Sequence, residues 1–225
     1  MSSIRRAVSP VLLSCLLMAG CSSGSSGSDA GKNGTSGASA VGPSGTGGPA
    51  GAPAQLPQGP GPQSKYTVQK QPPAGSCHYR KAASGEPLPD AKCTPGATNP
   101  AVTQATLAQT ICKPGYSKTV RPPAAITDKE KRMNAASYGY TGSLKDAEYD
   151  HLDPIEDGGD PNDPRNIWVE LPDPGHVPGS GINNKKDPIE NKIHKAICSG
   201  KVKLTDAQNA ITSDWTTALS SLGLS

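Results

Sequence analysis

Residues 22–64 consist almost entirely of Gly, Ser, Ala, Pro, Thr and Gln, and this composition restricts where the chain can fold. Such a segment has almost no apolar side chains to bury, so burial cannot offset the conformational entropy of folding. We therefore expect residues 21–64 to form a disordered tether that spans roughly 35–40 Å on average as a flexible coil. The folded domain is then confined to residues 65–225, which are numerous enough for one hydrophobic core.

The amino terminus predicts export and a lipid anchor. Two arginines precede the apolar run AVSPVLLSCLLMAG, which has the length of a signal peptide and is too short to span a membrane. The run ends in Ala-Gly before Cys21, which resembles the bacterial lipoprotein signal. We expect residues 1–20 to be removed and Cys21 to carry lipid, with the domain at the bacterial cell membrane on its extracytoplasmic side. An ordinary secretory signal that happens to contain Cys21 is the alternative.

Four cysteines remain after such processing: Cys77, Cys93, Cys112 and Cys198. An even number of cysteines in an oxidising compartment predicts two disulfides. Three pairings are possible and the sequence does not distinguish them; we adopt Cys77 with Cys93 and Cys112 with Cys198. A zinc site is the competing use, but none of these cysteines has the C-x-x-C spacing of such sites.

The domain is expected to be α+β, with helices around a small β-hairpin. Helical spacing of apolar residues and capping patterns predict helices in TNPAVTQATLAQTIC, TDKEKRMNAASYG, KKDPIENKIHKAICSG and LTDAQNAITSDWTTAL. In the second and the fourth segment, Thr127 and Thr205 are the predicted N-caps. Two short strands, at residues 148–152 and 166–169, are expected to pair through the turn at residues 158–159.

One group of polar side chains, on the predicted hairpin and the helix after it, is a candidate functional site. Asp150 and His151 end the first strand, Asn166 lies on the second, and Glu190 and His194 lie on the helix that follows. Helix positions four apart share a face, so Glu190 and His194 can reach a common point. Carboxylates and imidazoles bind divalent cations such as Mg, Mn, Zn or Ni, and Asp150 is a candidate third ligand. Because strand residues alternate between faces, Asp150 and His151 can serve one site only at a strand end or bend.

The stretch EYDHLDPIEDGGDPNDPRNIWVE and the following helix, residues 148–198, resemble the HNH or His-Me finger nuclease motif. The sequence around it also resembles a widespread group of secreted bacterial HNH-like proteins. The resemblance implies a disulfide-stapled domain with a ββα-metal core, and a metal-dependent endonuclease that cleaves DNA or RNA. It implies His151 as the general base and Asn166 as the residue that pins the loop and orients His151, by accepting from its ring N–H or by crossing the hairpin. It also implies one divalent cation held by Asp150, Glu190 and His194.

The chain departs from this motif in two places. Asp153 and Asp157 stand where the motif more often has apolar or neutral residues. The segment from residue 168 to residue 187 is rich in Pro and Gly and lengthens the connection to the helix, as an inserted loop would. The length of this connection decides whether the side chains of Glu190 and His194 can approach Asp150.

Four lysines near the predicted helix are candidates for contacts with nucleic-acid phosphates: Lys185, Lys186, Lys192 and Lys195. A solvated helical face is the alternative, because interleaved charge is usual on exposed helices. The net charge of +3 does not by itself imply a nucleic-acid partner. The alternative function is a non-catalytic cell-envelope lipoprotein that uses the same fold as a binding or structural module.

Overall fold

A computed structural model describes residues 55–224 of the chain. This part is a mixed α and β domain with five α-helices, two small antiparallel sheets and two disulfides. The strands are β1 (Arg80–Lys81), β2 (Pro87–Leu88), β3 (Glu148–His151) and β4 (Ile167–Glu170). The helices are α1 (Tyr116–Val120), α2 (Ala124–Ser137), α3 (Asp187–Cys198), α4 (Leu204–Asp214) and α5 (Ala218–Ser221). The expected mixture of helices and strands is confirmed.

Strands β3 and β4 form the predicted hairpin. They pair antiparallel, with Asp150 opposite Trp168 and His151 opposite Ile167. The connection between them contains a 3₁₀ turn at Ile155–Asp157. This turn ends at Gly158, whose φ of 95° favours glycine. The hairpin therefore carries Asp150 and His151 at the end of β3, immediately before the chain turns away.

The largest apolar cluster lies between the carboxyl-terminal helices and the segments before α1. The apolar residues at helical spacing in the last predicted helical segment are all buried: Leu204, Ala207, Ile211, Trp215 and Ala218. Ile193, Ala196 and Ile197 of α3 are buried as well, as their spacing predicts. Burial of these side chains fixes one face of α3 against α4 and leaves another face toward the β3–β4 hairpin.

Both predicted N-caps are wrong. Pro123 takes the cap position of α2, and Thr127 lies within the helix. A proline before or at the start of a helix is favoured because its fixed φ suits the first turn and its missing N–H is not needed there. Lys203 precedes α4, the first N–H of this helix donates to Gln104 Oε1, and Thr205 is exposed. A side chain distant in sequence thus replaces the local cap.

The helix predicted in residues 98–112 is reduced to a single 3₁₀ turn at Leu107–Gln109. Threonine side chains compete there for the backbone groups that a helix would use. Thr106 Oγ1 accepts a hydrogen bond from the Thr103 N–H and donates to the Ala101 carbonyl. Such local side-chain bonds are the reason that threonine is a weak helix former.

The two disulfides have the pairing that we adopted. Cys77 bonds to Cys93, 16 residues later, and Cys112 bonds to Cys198, 86 residues later. The second bridge joins the end of α3 to the segment before α1. It therefore closes a long loop that contains the whole β3–β4 hairpin.

The folded part begins earlier than residue 65. Residues 1–54, with the predicted signal peptide, Cys21 and most of the predicted tether, lie outside the described residues. Residues 55–64 were expected to be tether, but the Gly59 N–H donates to the Thr98 carbonyl at 2.9 Å and the Gly61 N–H to Asp160 Oδ2 at 2.6 Å. The prediction from composition is wrong for these residues because hydrogen bonds from their backbone N–H groups hold them to the domain. A Cβ at Gly59 would lie 2.3 Å from Asp160 Oδ2, so the close approach requires glycine.

Within residues 55–224, no helix is both long enough and apolar enough to cross a membrane.

Candidate functional site

Asp150 and His151 line one cavity of about 110 Å³ at the end of β3. Its other walls come from α1 and the residue after it, from the first part of the hairpin connection and from the start of α3. Both side chains reach it because β3 ends at His151 and the backbone bends there, as the sequence required. The hairpin and α3 thus meet at a small, partly open cavity lined by titratable groups.

His151 is a neutral imidazole with one nitrogen free. Its Nε2 lies 3.0 Å from the Pro161 carbonyl oxygen, and because a carbonyl can only accept, Nε2 carries the proton. Burial lowers the pKa of His151 to about 4, although the bond to Pro161 acts in the opposite direction. Nδ1 therefore bears a lone pair at neutral pH, and among residues 55–224 the hydrogen bond of the ring is the one that Nε2 makes to Pro161.

Asn166 pins the hairpin connection and does not touch the His151 ring. Its Oδ1 accepts hydrogen bonds from the Asp153 and Ala97 N–H groups, at 3.0 and 3.3 Å. Its Nδ2 donates to the carbonyl oxygens of Asp153 and Asp160, at 2.9 and 3.0 Å. Asn166 therefore pins the loop, which is one of the two roles that the resemblance implies, but it does not contact His151. The Pro161 carbonyl orients His151 instead.

A lysine ammonium lies between two of the three expected metal ligands. Lys186 Nζ is 2.9 Å from Asp150 Oδ2 and 2.8 Å from the His151 carbonyl oxygen, and it also contacts Glu190 Oε1. Its side chain is fully buried. Burial disfavours the ammonium, but the carboxylates of Asp150 and Glu190 outweigh this effect and hold the pKa of Lys186 well above its usual value.

His194, the third expected ligand, lines a different cavity, of about 320 Å³, beside Pro114 and Gly115. Its Nδ1 lies 2.8 Å from the Glu156 carbonyl oxygen and 3.7 Å from Asp157 Oδ1. The structure thus brings Asp150 and Glu190 together, but not with His194. In the part of the chain that the structure describes, no group of three or more His, Cys, Asp or Glu side chains is arranged to hold a metal ion.

Carboxylates dominate the lining of the His151 cavity: Glu148, Asp150, Glu156, Asp187 and Glu190. Burial raises the pKa of Glu190 to about 7, and the Lys186 ammonium offsets part of this rise. Burial also raises the pKa values of Glu148 and Asp187. At neutral pH the cavity lining therefore carries negative charge, but less than five fully ionised carboxylates would carry.

Arg121 is the basic side chain of the lining that sequence reasoning missed. It follows α1 in extended conformation, with φ −70° and ψ 133°, and its side chain is exposed. The proline after it favours that conformation, because the residue before a proline avoids helical angles. This was a usable sign that the chain turns at Arg121, but the sequence held no sign that the turn faces a hairpin about 30 residues later.

Asp153 and Asp157, the two departures from the motif, are fully buried. None of their four carboxylate oxygens has a hydrogen-bond partner among the described residues. Burial raises the pKa of both groups well above the usual value. The nearby Asp153 carboxyl raises the pKa of Asp157 further. Burial therefore favours the neutral acids at the places where the motif more often has apolar residues.

The four lysines proposed to contact phosphate have different surroundings. Lys185, Lys192 and Lys195 are exposed, and Lys185 Nζ lies 2.5 Å from Glu86 Oε1. Lys186 faces inward, with its three donors bonded to protein oxygens, so in this arrangement it does not reach a phosphate. The predicted phosphate contacts are thus left to the three exposed lysines.

Trp168, next to the site in sequence, is fully buried. Its ring packs against Tyr79 and Tyr138, with ring centroids 5.9 and 6.3 Å away. It is therefore part of the core behind the hairpin and does not present a face for stacking on a base.

Comparisons of the chain with protein-family models, with curated proteins and with solved structures found no match.

Proposed function

We propose that the domain hydrolyses phosphodiester bonds of DNA or RNA, with His151 as the general base. The observation that carries this proposal is the state of His151 in its cavity. The imidazole is neutral, its Nε2–H is fixed on the Pro161 carbonyl, and its Nδ1 is free to accept a proton. The resemblance of residues 148–198 to the HNH motif supports the same reaction class.

In the proposed reaction, His151 Nδ1 takes a proton from a water molecule as the water oxygen bonds to phosphorus. The bond from phosphorus to the leaving oxygen breaks, and that oxygen takes a proton from solvent. Arg121 lines the same cavity, and its guanidinium would bind the non-bridging phosphate oxygens, where charge increases in the transition state. Asn166 holds the loop that carries the Pro161 carbonyl and so keeps the imidazole in place.

The divalent cation implied by the resemblance takes no step in this scheme. Asp150 and Glu190 already share the Lys186 ammonium, and His194 lines another cavity. These residues therefore do not fit a three-ligand metal site in this arrangement. The acidic lining of the cavity still attracts cations, and for that reason the test below varies the metal ion.

We also propose that the domain is held at the outer side of the cell membrane by lipid on Cys21. Two disulfides in the domain support an oxidising compartment. The Gly- and Ser-rich residues after Cys21 would give the domain reach from the membrane surface.

A non-catalytic binding module of the cell envelope is the second candidate. The observation that favours it is the excess of carboxylates over Arg121 around the cavity, which suits a cationic ligand better than a phosphate. In this case His151 would serve only to hold β3 to the loop at Pro161.

The two candidates are separated by incubating the protein, with both disulfides formed, with plasmid DNA and with RNA. Each substrate is tested with Mg²⁺, Mn²⁺, Zn²⁺ or Ni²⁺ and with a chelator. We expect cleavage that falls by about 100-fold or more in His151→Gln. His78→Gln, which changes an exposed histidine, is the matched control. If the protein is folded and cleaves neither substrate under any condition, the nuclease proposal fails and the binding module remains.

A further inference from the structure

We propose that Lys186 is the resident cation of the His151 cavity. Its ammonium group occupies the place between Asp150 and Glu190 that the resemblance assigns to a metal ion, and it stays there while the domain is folded. This inference does not depend on whether the cavity cleaves nucleic acid.

The first support is that every donor of the ammonium is used. An ammonium has three N–H groups, and Lys186 Nζ has three oxygen partners: Asp150 Oδ2, the His151 carbonyl and Glu190 Oε1. Two of them belong to β3 and the third to α3. A single side chain therefore joins the strand that carries the base to the helix beside it.

The second support is burial. The Lys186 side chain is 0% exposed, and those of Asp150 and Glu190 are 8% and 14% exposed. A lysine is almost never buried without a charge partner, and here it has two. If a metal ion took the two carboxylates, the ammonium would be left without them inside the protein or would have to leave the core.

The third support is that the backbone of Lys186 is held as well. The Lys186 N–H donates to Asn184 Oδ1 at 2.7 Å. Asn184 Nδ2 in turn donates to Glu148 Oε2 at 2.9 Å and to Glu170 Oε2 at 3.2 Å. The polar groups around the ammonium thus form a connected set in which the lysine is fixed at both ends.

The adjacent lysine shows that this placement is specific. Lys185 has a side chain that is 53% exposed and pairs with the largely buried Glu86, whereas the Lys186 side chain points inward and is fully buried. The sequence KKD offers two similar lysines, and the start of α3 directs the second of them to the carboxylates of Asp150 and Glu190. Lys185 therefore provides a matched control for any change at Lys186.

The direct test is nuclear magnetic resonance of the lysine ammonium groups in ¹⁵N-labelled protein. We expect one ammonium resonance that is protected from exchange with water, that is lost in Lys186→Arg, and that stays sharp when equimolar Mn²⁺ is added. The proposal is overturned if equimolar Mn²⁺ broadens this resonance in the wild-type protein and Asp150→Asn removes the broadening. That result would mean that a metal ion binds at Asp150.

A second measurement compares Lys186→Met with Lys185→Met. Removing the buried ammonium leaves two carboxylates unpaired, so we expect the melting temperature of Lys186→Met to fall by about 10 °C. The fall in Lys185→Met should be clearly smaller, because its half-exposed ammonium pairs with one carboxylate only. Mn²⁺ should bind Lys186→Met at least about 10-fold more tightly than wild type, and this gain should vanish in Lys186→Met/Asp150→Asn. Equal melting temperatures of the two lysine variants would contradict the proposal. If Lys186→Met does not fold, the resonance of the wild-type protein decides.

Discussion

The side-chain amide of Asn166 pairs with both backbone polar groups of Asp153. Its Oδ1 accepts from the Asp153 N–H at 3.0 Å, and its Nδ2 donates to the Asp153 carbonyl at 2.9 Å. A carboxamide thus continues the β3–β4 ladder by one pair after the strands have ended. Asparagine is suited to this place because it offers a donor and an acceptor at the distance of a backbone amide.

Asn166→Ala should destabilise the domain by roughly 3–5 kcal/mol, because it leaves buried backbone groups of Asp153, Asp160 and Ala97 without partners. Urea unfolding measures the change in the free energy of unfolding. The control is Asn191→Ala, which changes an exposed asparagine and should cost less than about 1 kcal/mol. Equal losses in the two variants would show that the Asn166 bonds do not hold the loop.

Gly159→Ala should be among the most damaging single changes in the hairpin. A Cβ at this position would lie 1.8 Å from the Asp153 carbonyl oxygen and 2.8 Å from Asn166 Nδ2. Backbone cannot move aside as a side-chain tip can, so we expect a loss above roughly 3 kcal/mol. Gly175→Ala, which has a φ of 87° and open space around it, should cost only about 1 kcal/mol. Thermal unfolding of both variants checks the difference.

The stability of the domain should depend on His151 between pH 6.5 and pH 4. The folded-state pKa is about 4, below the unfolded value near 6.5, so the unfolded chain binds this proton first as the pH falls. Folding stability is therefore lost as the pH falls through this window, by roughly 3 kcal/mol in total. Glu190, whose pKa is raised to about 7, acts in the opposite direction.

The difference between the wild-type protein and His151→Gln isolates the histidine contribution, because Glu190 is present in both. Urea unfolding at pH 7 and at pH 4.5 should show a smaller loss in the variant. The same loss in both proteins would mean that the imidazole is not held in its neutral form by the fold.

The two disulfides should differ in their contribution to stability. Chain-entropy estimates for loops of 16 and 86 residues give about 3 and 4.6 kcal/mol. We therefore expect Cys112→Ala/Cys198→Ala to lose about 1.5 kcal/mol more through this term than Cys77→Ala/Cys93→Ala. Part of this difference is offset because Cys77 is itself buried in the core. Urea unfolding of the two double variants gives the comparison, and a smaller loss for the long loop would show that burial of Cys77 dominates.

Arg121 should matter more for turnover than the exposed lysines of α3. If its guanidinium binds the phosphate next to His151, Arg121→Ala should lower kcat/KM by about 10- to 100-fold, since a bond to a charged group contributes about 1.5–3 kcal/mol. Lys192→Ala and Lys195→Ala are controls with a change below about threefold. A larger effect from either lysine would move the phosphate site from the cavity to the surface of α3.

The sequence was sufficient for features that depend on local pattern. The buried stripe of α4 and the face of α3 with Ile193 and Ile197 followed from helical spacing, and the hairpin followed from its turn. The pairing of the cysteines was chosen without a physical basis and is the one found.

Features that depend on contacts distant in sequence were not predictable. Lys186 was counted with three exposed lysines because its burial arises only when β3 supplies Asp150. His194 and Glu190 share a helix face, but the His194 ring is bonded to the Glu156 carbonyl in the 3₁₀ turn at Ile155–Asp157 and does not reach the cavity that Glu190 lines. Arg121 enters the site only through the turn after α1. In each case one partner lies tens of residues away, where spacing carries no information.

The attachment of residues 55–61 has a mechanical consequence. The chain enters the domain through the Gly59 bond to Thr98 and the Gly61 bond to Asp160, and Asp160 also accepts from Asn166. A pull on the preceding chain would therefore load the same loop that holds the Pro161 carbonyl against His151. Tension from the amino-terminal side would act on the orientation of the imidazole before it acts on the helices.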